Sequence, residues 1–136
     1  MQKAKIKVPH IRILFALYFA EKGLDIAISK IVKVCGINKV NYVDELYNMG
    51  FVKLYHRVNV KKITACVALS RSGSDFMTEV FDMLTKHKLW DYIRILPHNG
   101  LIVLDNESTR LVYALSLLVL RSRTEEPSEL STGCRS

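Results

Sequence analysis

Hydrophobic positions along this chain change rhythm three times, and each change marks an element. From Pro9 onward, Ile11, Leu14, Phe15, Tyr18 and Phe19 recur every three or four residues. That spacing predicts a helix opened by a proline, whose missing N–H is not needed in the first turn. Gly23 closes it, and a second helix is expected over Ile26–Cys35, burying Ile28, Ile31, Val32 and Cys35 before Gly36 breaks it. Asn38 can cap a third helix running to about Asn48. Its apolar stripe is Val40, Val43, Leu46 and Tyr47; the opposite face carries Lys39, Asn41, Asp44 and Glu45. Gly50 is expected to take the left-handed cap that stops this helix, with Leu46 and Phe51 anchoring the corner.

After Gly50 the period becomes alternating. Phe51, Lys53, Tyr55 and Arg57 fall on one side of a strand, and Val52, Leu54, His56 and Val58 on the other. Asn59–Lys62 reads as a basic turn, and "ITACVALS" returns as a second, β-branched strand, so a hairpin is predicted. A helical stripe then resumes with Phe76, Met77, Val80, Phe81 and Leu84, capped by Ser70, Ser72 or Ser74, and Trp90 and Ile93 extend it toward Pro97. "PHNG" is a turn, and Leu101–Leu104 is a short buried strand or a packed connection. A fifth helix covers about residues 106–121. Its uncharged run Leu111–Leu120 is ten residues long where a bilayer needs about twenty, so burial in protein is expected and no membrane partner. Residues 123–136 are polar, contain Pro and Gly, and are expected to be disordered. The fold class is therefore mainly α with a small β-hairpin.

Charge sharpens this layout. Residues 1–75 hold 13 Lys/Arg against 5 Asp/Glu, a net of +8, while residues 76–136 hold 7 against 8, a net of −1. All the excess positive charge thus lies with the three helices and the hairpin. Clustered cations gain free energy by releasing the counterions of a phosphate backbone, which points to nucleic acid; a solvated lysine-rich surface is the plainer reading. Cys35, Cys66 and Cys134 form no C-x-x-C pair, and with Arg12 interrupting the N-terminal apolar run, a reducing cytoplasmic setting is expected. His10, His56, His87 and His98 lack ligand spacing, so no metal or other cofactor is expected. No phosphate-binding glycine loop or nucleophile elbow is present, and an enzyme is not expected.

Three helices followed by a hairpin resemble the winged helix-turn-helix family of DNA-binding regulators. "AISKIVKVCGINKVNYVDELYNMGFVKL" resembles its second helix, turn, recognition helix and first wing strand. "LYNMGFV" (Leu46 to Val52) is similar to the family's helix ending, and "ALSRSG" (Ala68 to Gly73) resembles the step by which MarR-like and PadR-like members leave the wing. The likeness covers about residues 8–90. It implies a winged DNA-binding domain over 1–96, a C-terminal helical dimerisation element over 97–122 and a tail over 123–136. Asn38, Lys39, Asn41 and Tyr42 on the third helix, with His56, Arg57, Asn59, Lys61 and Lys62 at the hairpin, are the candidate contacts to double-stranded DNA, the helix reading bases and the hairpin touching backbone. The apolar fifth helix suggests a homodimer through Trp90, Leu111, Tyr113, Leu115 and Leu118; a larger single core, with helix five packed on helices one and four, is the alternative. The function implied is sequence-specific transcriptional regulation by a homodimeric repressor. A winged-helix module for protein–protein interaction in a replication, transcription or virion assembly is the rival.

Overall fold

The computed structural model describes residues 5–20, 25–37, 41–98 and 100–130, with side chains described through Arg123. Within them lie α1 (Val8–Tyr18), β1 (Ile26–Ala27), α2 (Ile28–Val34), α3 (Asn41–Asn48), β2 (Val52–Val58), β3 (Ile63–Leu69), α4 (Arg71–Lys86), a 3-10 turn (Trp90–Tyr92), β4 (Ile95–His98), β5 (Leu101–Leu104) and α5 (Asn106–Leu130). The class is mixed, with five helices dominating two small antiparallel sheets.

α1 is the centre. Ile11, Ile13, Leu14, Phe15 and Ala16 are at most 1% exposed, so this helix is buried nearly all round, and it touches α2, α3, α4, α5, β3 and β5. α5 joins the same cluster through Val112, Leu115 and Val119, packing on α1 and α4. The segment expected to serve as a separate dimerisation element therefore shares its core with the preceding helices.

Three helices end in the same local geometry. After α2, the Gly36 N–H reaches the Lys33 carbonyl and the Ile37 N–H reaches that of Val32. After α3, Gly50 and Phe51 repeat this on Tyr47 and Leu46; after α4, Lys88 and Leu89 repeat it on Thr85 and Leu84. Each is a Schellman closure, which needs a left-handed residue at its pivot and buries an apolar one behind it. Gly36 and Gly50 supply φ of 68° and 84°; Lys88 does so at 58° without being glycine. The expected cap at Gly50 is thus present, with Leu46 and Phe51 buried and Phe51 stacked on Phe76 at 4.8 Å.

The hairpin closes as expected, Val58 opposite Ile63 across the Asn59–Lys62 turn, with the Asn59 N–H on the Lys62 carbonyl. Its foot is locked to α4. Ser70 Oγ accepts from the Gly73 N–H and donates to the Gly50 carbonyl at 2.6 Å, while the Ser70 N–H donates to Phe51.

Three expectations are corrected, and one left open between two alternatives is decided. Ile26 and Ala27 do not begin α2; they form β1, a third strand on β3 opposite Val67 and Cys66. Buried Ile26 is β-branched and suits a sheet as well as a helix. α4 does not run on to Pro97, because the Lys88 cap ends it at Lys86 and Trp90–Tyr92 form a separate turn. Leu101–Leu104 is a strand with a partner, since residues 95–98 pair with it antiparallel. α5 continues past residue 121 to Leu130, with Arg123 reaching Glu79 of α4 at 2.6 Å and lying over the Phe76 ring. Residues 131–136, the rest of the expected tail, lie outside the described residues.

Candidate nucleic-acid interface

α3 stands directly against the foot of the hairpin, and its amphipathic face decides which side chains it offers. At about 100° per residue, Tyr42 and Tyr47 each lie about 70° from the centre of the buried Val43–Leu46 stripe, on opposite sides. The helical period cannot choose between them; tertiary packing does. Tyr42 is half-buried, its ring edge-on to His10 at 5.3 Å with the Lys7 ammonium 5.9 Å above it. Tyr47 is 53% exposed. The two tyrosines thus exchange the roles expected of them: Tyr42 belongs to the packing against α1, and Tyr47 joins Asn41, Asp44 and Asn48 on the open face. Asn38 and Lys39 lie outside the described residues.

Glu45 turns away from that open face. Its Oε1 lies 2.8 Å from Nε2 of His10, which is fully buried, and the Lys7 N–H donates to the other ring nitrogen at 2.8 Å. Because Nδ1 accepts, a neutral ring must carry its proton on Nε2 and donate it to the carboxylate. Burial lowers the His10 pKa below its usual value, against the opposing pull of Glu45. The expectation that Glu45 faces solvent is therefore corrected: it fastens α3 to α1 from behind.

On the hairpin, period two separates residues that are adjacent in sequence. Exposed His56 and half-buried Arg57 point to opposite faces. Tyr55, on the Arg57 side, donates its hydroxyl to Asp25 at 2.7 Å, and burial together with that bond pushes its pKa up to about 12. Arg57 Nε is buried without an acceptor among the described residues. Asn59, Lys61 and Lys62 at the tip are exposed. Beside them stand Val58, Val60 and Ile63, 72%, 103% and 67% exposed, which reading for charge alone overlooks. The tip is thus cationic and apolar together.

Two stations result, not one cluster. Val52 and Val58 bound a strand that spans about 20 Å at about 3.3 Å per residue, so the tip stands roughly that far from the foot of the hairpin, which follows directly on α3.

The residues expected at a dimer interface divide. Leu115 is buried in this chain's own core, and Leu111 and Tyr113 are half-buried. Trp90 and Leu118 are exposed, 37% and 48%, as are Phe19, Tyr92, Ile95, Leu96 and Leu117. Cys35 and Cys66 are buried free thiols, burial pushing Cys35 up to about 12; Cys134 lies outside the described residues. Among the described residues no group of three or more His, Cys, Asp or Glu side chains is placed to hold a metal ion, and no helix is long and apolar enough to cross a membrane.

Comparison of the chain with known protein families, characterised proteins and solved structures finds no match. The site's geometry stands alone as the guide to function.

Proposed function

We infer that the chain is a winged helix-turn-helix protein that binds double-stranded DNA and regulates transcription as a homodimer. The observation that carries this reading is the placement of two solvent-open stations on one rigid foot. α3 ends at Gly50, turns at once into β2, and is clamped to α4 by Ser70, while β1 completes a three-stranded sheet in the order β1-β3-β2. A short helix offering Asn41, Tyr47 and Asn48 suits the major groove, where base edges present distinct donors and acceptors. A tip bearing Lys61 and Lys62, about 20 Å from the foot of the hairpin, suits a flanking backbone, supplying affinity without sequence preference. The excess positive charge of residues 1–75 supports the same partner.

A second copy would cover the apolar surface around Phe19, Trp90, Ile95 and Leu118 and set two α3 helices on half-sites of a palindrome. Selection from random duplex DNA tests the whole reading. A two-fold symmetric consensus is expected, and recovery of unenriched sequence contradicts it. Sedimentation at micromolar concentration tests the dimer separately, since a single 15.6 kDa species removes it.

Two observations favour a rival. Asp44 stands on the open face of α3, where it would repel phosphate, and Val58, Val60 and Ile63 lie bare at the tip. Both features suit a protein surface in a larger assembly. An interaction module predicts no duplex binding at any salt concentration.

A further inference from the structure

A second concentration of positive charge lies away from the hairpin. A cavity of about 430 Å³ opens between the start of α1, the turn after α2 and the start of α5. Val8, Pro9, Ile37 and Tyr42 give it an apolar wall; Arg12 and Arg110 supply its charge, and no carboxylate lines it among the described residues. Arg12 is unusual here. Its Nη1 donates to the Cys35 carbonyl at 3.0 Å and its Nη2 to the Leu104 carbonyl at 3.2 Å, so the guanidinium is fixed between the end of α2 and the end of β5. Each of those nitrogens keeps a second N–H. Nε is buried with no acceptor among the described residues.

A half-buried guanidinium normally answers a carboxylate, because unpaired charge is costly once water is removed. Arg12 has no ion pair among the described residues, in contrast to His10 with Glu45 and Arg123 with Glu79. Asp105 is near enough for Arg12 to help lower its pKa, but that lowering comes first from the hydrogen bonds with Ser108, whose N–H its carboxylate accepts at 2.8 Å. Arg110, one helical turn into α5, is exposed, and its side chain makes no ion pair or hydrogen bond among the described residues.

We propose that this cavity is a binding site for a phosphate ester, with Arg12 as the fixed and Arg110 as the mobile ligand of its oxygens. The planar fork of arginine matches phosphate in two-point geometry. The cavity lies within the size range of small-molecule sites, with space beyond the phosphate for an organic body against Val8, Pro9, Ile37 and Tyr42. The ester can be a free nucleotide-like molecule or one phosphate of a nucleic-acid backbone. Because Tyr42 belongs to α3, the occupant touches the helix assigned to base reading; only the backbone source rests on that assignment.

Paired titrations of the full chain decide it, followed by amide chemical shifts. One uses adenosine 5′-monophosphate and the other a mixed-sequence duplex, in wild type, Arg110→Ala and Arg12→Lys, the last checked for folding by circular dichroism. For a free ester, the monophosphate shifts residues around Arg12 and Arg110, both variants weaken it by about tenfold, and the salt slope of duplex binding is unchanged. For a backbone phosphate, Arg110→Ala lowers that slope by about one unit. If neither titration responds to Arg110→Ala, the site is overturned. Monophosphate binding that persists while duplex binding is absent leaves the site standing and removes the DNA reading instead.

Discussion

The two hairpins among the described residues are launched by the same device and put to opposite uses. The β2–β3 hairpin leaves α3 through Gly50 at φ 84°, and the β4–β5 hairpin follows α4 through Lys88 at φ 58°. In both, a Schellman closure ends the helix and an apolar residue behind the pivot, Phe51 or Leu89, packs on the core. Beyond that point they diverge. The first hairpin has seven-residue strands, is held at its foot by Ser70 and at mid-strand by β1 and Asp25, and carries lysines to a bare tip. The second has four-residue strands; Leu101, Val103 and Leu104 of β5 are buried, whereas all four residues of β4 are open to solvent. The contrast shows how one local solution can serve two ends: reach with charge in one case, and an apolar edge beside Phe19 and Trp90 in the other.

The foot of the first hairpin is where the structure is most sensitive. A Cβ at Gly73 would sit 2.9 Å from the Phe51 carbonyl carbon, closer still to its oxygen, and 3.2 Å from Leu69. Backbone cannot yield as a flexible side chain does. Gly73→Ala is therefore expected to destabilise by about 3 kcal/mol or more, read from urea unfolding; a loss below about 1 kcal/mol would mean that α4 does not press on Phe51. Ser70→Ala removes the cap of α4 and the bond to Gly50 together, and should cost about 1–2 kcal/mol by the same assay.

Acidification probes the other support of α3. Since burial lowers His10 below 6.5, the unfolded chain takes up this proton first as pH falls. The stability contributed by the neutral ring is complete above that value and is lost as pH drops from 6.5 toward the folded pKa. Unfolding midpoints measured from pH 8 to pH 5 should fall below about pH 6.5, and His10→Gln should flatten that part of the profile. The smallest effect belongs to the second launch point. Lys88→Gly relieves the left-handed strain and should stabilise by about 0.5–1 kcal/mol, whereas Gly50→Ala, the matching change at the first, should destabilise.

The same pair of launch points explains what could be read in advance. Glycine announces a left-handed pivot, so the end of α3 and the start of β2 followed from the sequence, whereas the Asn59–Lys62 turn lacks an Asn-Gly pair and left the Val58–Ile63 register to the structure. Lysine announces nothing of the kind, so α4 was carried too far and β4 was missed, although Asn99-Gly100 between two apolar runs is itself a strong hairpin signal. β1 was missed because two residues are too few to show a period. Tyr42 and Tyr47 were exchanged because the helical wheel places them symmetrically, and only His10 and Lys7, brought up by α1, break the tie. Arg12 went unread as a site residue because its meaning depends on two carbonyls 23 and 92 residues away. Local chemistry was legible; the contacts that choose among equal local options were not.

The central claim is that the first hairpin reaches a phosphate backbone. Fluorescence anisotropy of a labelled mixed-sequence duplex, titrated with wild type and with Lys61→Ala/Lys62→Ala from about 50 to 300 mM salt, tests it most directly. Affinity should fall steeply with salt for the wild type, and the slope should drop by about one to two units in the double variant. Absence of binding at about 50 mM salt, or equal slopes for the two proteins, would contradict it.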